Sequence, residues 1–244
     1  MMFNFKKTQK DGLTIRLTTE KRIDEALSKE GIEDPATITK LTISGTITRA
    51  DFKYIRKKMS KSLQELDLSN AILEECKLKK GALSRCVALV SVTIPDNTVE
   101  IGESALANCI NLKTFTIPNT VTKIGELAFW GCTGLTSVNI PDSVTHIEFR
   151  AFNNCPGLTS IEIPNSVIKI GGNAFGYCTG LTSVNIPNSV IEIGNAAFSN
   201  CTGLTSVNIP ESVTKMGNWV FEGCNPDIIV SSQKHNSNTF PESQ

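Results

Sequence analysis

The chain has 244 residues, 40% of them hydrophobic, so it can bury a core and has room for one or two domains. Its 24 basic and 24 acidic side chains cancel, which argues against a dedicated nucleic-acid binder. No apolar run approaches the roughly 18 residues that cross a bilayer, and two histidines and two tyrosines starve most catalytic constellations. The charge is also uneven. Residues 1–88 hold 18 basic and 12 acidic groups, residues 89–226 hold 5 and 10, and the rest hold 1 and 2.

In chain order, residues 1–7 (MMFNFKK) lack the apolar stretch of a secretory signal. Residues 13–17 (LTIRL) alternate as a strand. Thr19 can cap a helix whose Ile23, Ala26 and Leu27 share one face, and Gly31 ends it. Residues 38–43 (ITKLTI) and 63–68 (LQELDL) read as further strands. Between them, a helix from about Asp51 turns Phe52, Ile55 and Met59 inward. Its other face carries Lys53, Arg56, Lys57, Lys58 and Lys61, a solvated flank or a contact for an anionic partner such as a membrane surface or glycan. Residues 1–88 are thus expected to form an N-terminal capping region of longer, irregular coils.

From residue 89 an internal repeat takes over. Cys86, Cys109, Cys132, Cys155, Cys178, Cys201 and Cys224 stand 23 residues apart. Leu89, Leu112, Leu135, Leu158, Leu181 and Leu204 keep the same interval, as do six prolines from Pro95 to Pro210. Six units fill residues 89–226. In the unit at 181–203, Val184 and Ile186 alternate with Ser183 and Asn185, a half-buried strand that Pro187 must stop. Val190 and Ile193 mark a second short extended piece. Gly194 suits a turn of positive φ, and Ala197, Phe198 and Cys201 are spaced for a short helical turn. One such unit cannot bury its own apolar face, but stacked copies can. The expected fold is therefore an α/β repeat solenoid with one long parallel sheet and short helical or extended turns opposite. Val230 follows Val207 by 23 residues, so 227–230 should add a terminal strand, and the polar, aperiodic 231–244 reads as a disordered tail.

The pattern L-x-x-V-x-I-P-x-x-V-x-x-I-G-x-x-A-F-x-x-C resembles the BspA-like leucine-rich repeat, and residues 89–226 carry it in all six units. Residues 38–43 and 63–68 are similar with longer coils, and residues 41–52 resemble the family's opening coil. The resemblance implies a right-handed curved solenoid used in protein binding or adhesion, without enzyme activity or cofactor. It also implies a cell-surface or secreted protein; with no signal visible, a removed signal and a cytoplasmic location both stay open.

Candidate chemistry is sparse. The cysteine ladder lacks the close pairs of metal sites, and each member follows an Ala-Phe pair at a core spacing. Cys109, Cys132, Cys155, Cys178 and Cys201 are therefore expected to be buried thiols beside a stack of Phe129, Phe152, Phe175 and Phe198. His146 falls in a solvated row with Glu100, Lys123, Lys169, Glu192 and Lys215. The sequon at Asn200 is discounted because it places a glycan beside a core cysteine. No nucleophile–base pair can be nominated.

Two surfaces remain as partner sites. The outward strand residues form a hydroxyl- and amide-rich strip centred on Ser137, Asn139, Ser160, Glu162, Ser183 and Asn185, expected to bind a protein with weak salt dependence. Trp130, Phe149, Tyr177 and Trp219 depart from the repeat and form a competing aromatic set that could instead pack locally. The leading expectation is a binding module. A structural protein stacking solenoids end to end and, remotely, a cysteine-dependent hydrolase are the alternatives.

Overall fold

The computed structural model describes residues 12–18 and 20–232. It is a solenoid of parallel strands in about 8 turns. Strand β1 (Leu13–Leu17) opens it, with Leu13, Ile15 and Leu17 buried, and pairs in parallel with β2 (Lys40–Ile47). Helix α1 (Ile23–Lys29) buries Ile23, Ala26 and Leu27, with Arg22 at its N-cap; Thr19 lies outside the described residues. Helix α2 (Arg49–Lys58) starts two residues earlier than its apolar pattern suggests, because Thr48 and Asp51 close a capping box ahead of it. Phe52, Ile55 and Met59 are buried as expected.

Asp51 joins the two helices. Its carboxylate accepts hydrogen bonds from the Thr48 backbone N–H at 2.9 Å and hydroxyl at 2.6 Å, from the Ile23 N–H at 3.1 Å and from Arg22 Nε at 3.2 Å. One side chain thereby satisfies orphan donors at the start of both helices. Burial alone would raise its pKa. The hydrogen bonds from Thr48, Ile23 and Arg22 outweigh that and hold it below the usual value.

Each repeat coil has three sides. The first is the expected strand, seen at Ser91–Thr93, Thr114–Thr116, Ser137–Asn139, Ile161–Glu162, Ser183–Asn185 and Ser206–Ile209, with Ile229–Ser232 as the terminal strand. Val207 pairs with Val230, the register read from the 23-residue spacing. Ser231 and Ser232 belong to this strand, and the remainder of the expected tail lies outside the described residues. The second side is also a parallel sheet, of seven two-residue strands from Lys77–Leu78 to Lys215–Met216. The stacking also continues upstream of residue 89, since Glu65–Asp67 pairs with Ser91–Thr93 and Lys77–Leu78 with Glu100–Ile101.

The third side is not helical. Backbone φ turns positive at Ser104, Leu127, Arg150, Asn173, Ala196 and Trp219, and again four residues later at Asn108, Gly131, Asn154, Tyr177, Asn200 and Gly223. Each left-handed residue breaks the helical run. Alternate N–H groups then reach across to the next coil: Arg150, Phe152 and Asn154 donate to the carbonyls of Gly172, Ala174 and Gly176 at 2.8–3.0 Å. The residues between them donate three positions back. L-residues in the left-handed region cost roughly 1–2 kcal/mol each; here that cost is set against main-chain bonds that tie coil to coil.

The glycine corner corrects an expectation. Gly102, Gly125, Gly171, Gly194 and Gly217 are not left-handed. Their lack of a side chain matters because a Cβ on Gly194 would lie 2.5 Å from the Gly172 nitrogen of the previous coil, and one on Gly125 2.7 Å from that of Glu103. Glu148, which replaces glycine in one coil, likewise has no positive φ, so there is no left-handed strain for glycine to relieve.

The core is one continuous cluster. Phe129, Phe152, Phe175, Phe198 and Phe221 stack with centroids 5.0–5.8 Å apart and planes within 12°, and Phe115 meets Phe129 edge-on at 5.2 Å. That spacing is close to the roughly 4.8 Å between strands, so equivalent rings meet at contact distance.

Candidate functional site

The cysteine ladder lies in the core. Cys109, Cys132, Cys155, Cys178 and Cys201 are fully buried, and all eight cysteines are free thiols. Each ladder thiol from Cys109 to Cys224 donates to a carbonyl 26 residues upstream at 3.1–3.2 Å, as Cys155 does to Phe129. Burial pushes the Cys86, Cys132 and Cys178 thiols up to about 12 and those of Cys109 and Cys155 well above the ordinary range. A thiol so placed is a poor source of nucleophilic thiolate. Among the described residues, no group of three or more His, Cys, Asp or Glu side chains could hold a metal ion.

The second sheet faces outward with a polar row of its own: the charged Lys77, Glu100, Lys123, Lys169, Glu192 and Lys215, with His146 among them. Glu100 bridges Lys77 and Lys123 at 3.4 Å each, and Lys169 meets Glu192 at 2.6 Å. His146 is exposed and its Nδ1 lies 2.9 Å from the Thr145 hydroxyl. Lys53, Lys57 and Lys58 of α2 and Lys61, three residues beyond its end, are exposed, while Arg56 donates to the Ala82 carbonyl at 2.7 Å.

The aromatic deviations separate into different environments. The Phe149 ring covers Gly172 of the next coil, where a Cβ would lie 3.4 Å from it, and the Arg150 guanidinium stacks 4.9 Å from its centroid. Phe149 thus makes a local contact while remaining 39% exposed, and Gly172 lies beneath it where other coils have Glu103, Glu126, Asn195 and Asn218. Trp130 is half-buried. Tyr177 and Trp219 are 50% and 64% exposed, both on left-handed residues of the third side.

The first strand face is open along its length. Ser137, Asn139, Ser160, Glu162, Ser183 and Asn185 are all exposed, with Asn139 in register with Glu162 and Glu162 with Asn185. Ser160 lies just before its strand. At the proline end of this face runs a groove of about 660 Å³. Asn139, Glu162 and Asn185 line it from the strands, and Asn119, Asp142 and Asn165 from the turns that follow. Sequence reasoning missed this second row. Its residues lie beyond the prolines that end the alternation, and their common signal is a polar side chain immediately after Pro118, Pro141 and Pro164.

A family model for the BspA type leucine rich repeat region matches residues 58–182 and 169–242, in 6 copies. The chain belongs to the BspA-type leucine-rich repeat family. Among solved structures it is similar to a leucine-rich repeat protein from Eubacterium ventriosum, 18% identical, covering 83% of this chain and 61% of that one, with a TM-score of 0.56. A leucine rich cell surface protein from Faecalibacterium prausnitzii is 27% identical over 80% of this chain and 64% of its own, with a TM-score of 0.44. A leucine-rich repeat protein from Bacteroides ovatus is 20% identical, with 78% of each chain covered and a TM-score of 0.38. No match is found among curated proteins. The BspA-type repeat is a protein-interaction fold of a typically non-enzymatic kind. No described helix is long and apolar enough to cross a membrane.

Proposed function

We propose that this chain is a non-enzymatic recognition module that binds a protein partner on the first strand face, centred on Ser137, Asn139, Ser160, Glu162, Ser183 and Asn185. The observation that carries the reading is the contrast between the sides. The second sheet partly neutralises itself with ion pairs. The third side spends its main chain on contacts between coils. The first face presents exposed side chains that recur coil after coil, so many modest contacts can add up. It holds no lysine or arginine at these positions, whose ordering on binding would cost rotamer entropy.

Asn139→Arg with Asn185→Arg is expected to abolish partner binding while leaving the fold intact by circular dichroism. Trp130→Ala with Tyr177→Ala is expected to leave binding unchanged. The reverse pattern would move the site to the third side and leave the strand strip a solubilising surface.

A further inference from the structure

We infer that the groove beside the strand ends seats an extended polypeptide segment and selects one that carries a lysine or arginine, held by Asp142 and Glu162. This rests on the recognition reading of the strand face and names the chemistry of the partner there.

The groove is a product of the repeat. Each strand ends with an outward residue, an inward isoleucine, a proline and then an outward residue again: Asn139, Ile140, Pro141 and Asp142 in one coil, Glu162, Ile163, Pro164 and Asn165 in the next. The isoleucines and prolines are buried, and the polar residues on either side are exposed. The result is a trough flanked by two polar rows that runs along the stack. It involves four successive coils; at roughly 4.8 Å per coil, three intervals give about 14 Å. An extended chain at about 3.3 Å per residue covers that length with four to five residues.

The lining selects by chemistry. Asn119, Asn139, Asn165 and Asn185 each offer an amide that can both donate and accept, the complement of a peptide main chain. Asp142 and Glu162 only accept, and no lysine or arginine lines the groove. Elsewhere on the array Glu100, Glu103 and Glu192 are paired with lysines of this chain. Asp142 and Glu162 make no such pair, so a partner's cation meets two negative charges without displacing an internal one. The groove carries no aromatic ring on which a sugar could stack, and its charge is wrong for a polyanion.

The test is a selection of random peptides displayed on phage against the full chain, followed by titration of an enriched peptide. Enriched peptides are expected to share a lysine or arginine. Affinity should fall by about tenfold in the Asp142→Asn, Glu162→Gln double variant, as two partly exposed ion pairs would give. It should fall similarly when the peptide's basic residue becomes glutamine, and it should weaken as salt rises, in contrast to the weak salt dependence expected of the strand strip without Asp142. Enrichment without basic residues, or an affinity that the double variant leaves unchanged, overturns the inference. So does the absence of any enriched peptide, or binding of an oligosaccharide alone at these residues. If the double variant has no effect but Asn139→Arg with Asn185→Arg abolishes binding, the strand-face reading survives and only the cation assignment falls. If neither affects binding, both fall.

Discussion

At the scale of single residues, the repeat succeeds by keeping certain positions small and others large. Phe175 sits mid-stack between Phe152 and Phe198 at 5.5 and 5.3 Å. Phe175→Ala should cost about 3–5 kcal/mol in urea titration, as core phenylalanine truncations do; a loss below about 1 kcal/mol would contradict the stacked core. Gly194→Ala should cost about 1–3 kcal/mol, because the new methyl group meets the preceding coil's backbone, which cannot give way as a side chain would. Tyr177 presents the opposite case. It holds φ 62° at a position where neighbouring coils use asparagine or glycine. Tyr177→Asn should therefore stabilise the chain by a few tenths to about 1 kcal/mol, read as a raised midpoint at unchanged slope. The thiols give a further check. A colorimetric thiol reagent applied to native protein should spare Cys109, Cys132, Cys155 and Cys178, and half-buried Cys76 and Cys224 should react first.

At the scale of elements, one carboxylate, Asp51, ties the starts of α1 and α2 together. Since the pKa of Asp51 is lowered on folding, the stability it contributes is complete above its unfolded value, near 3.8. That contribution is lost as pH falls through the folded value. Stability should drop below about pH 4, and Asp51→Asn should flatten that drop while weakening the fold at neutral pH. Reading such elements from sequence worked where a period was visible. Cys, Leu and Pro recur every 23 residues, and the first strands and the terminal strand follow in register from that alone. The third side was not legible as non-helical. Its left-handed positions hold Ser104, Leu127, Arg150, Asn173, Ala196 and Trp219, which share no residue type. At the first five of these the backbone N–H donates to a carbonyl of the next coil, an interaction that no local pattern records. The strand strip was legible as a candidate site, but the groove was not. Asp142 enters it through the corner after Pro141, where alternation no longer says which way a side chain points.

At the scale of the whole molecule, the serine and cysteine side-chain bonds between coils share a direction. Ser143, Ser166, Ser189 and Ser212 donate their hydroxyls to Val121, Val144, Val167 and Val190, each on the preceding coil. The cysteine thiols likewise donate upstream. Each central coil therefore presents much the same acceptors to whatever follows it. In the language of genetics, the central array is indifferent to copy number. An unequal crossover that adds or removes one whole 23-residue period rejoins equivalent surfaces, whereas a break out of phase does not. Duplicating residues 158–180 should yield a folded, longer protein with a steeper urea transition, because more surface is exposed on unfolding. Duplicating residues 158–170 should unfold it. The groove beside the strand ends would then be lengthened a rung at a time by recombination, without any new fold having to be found.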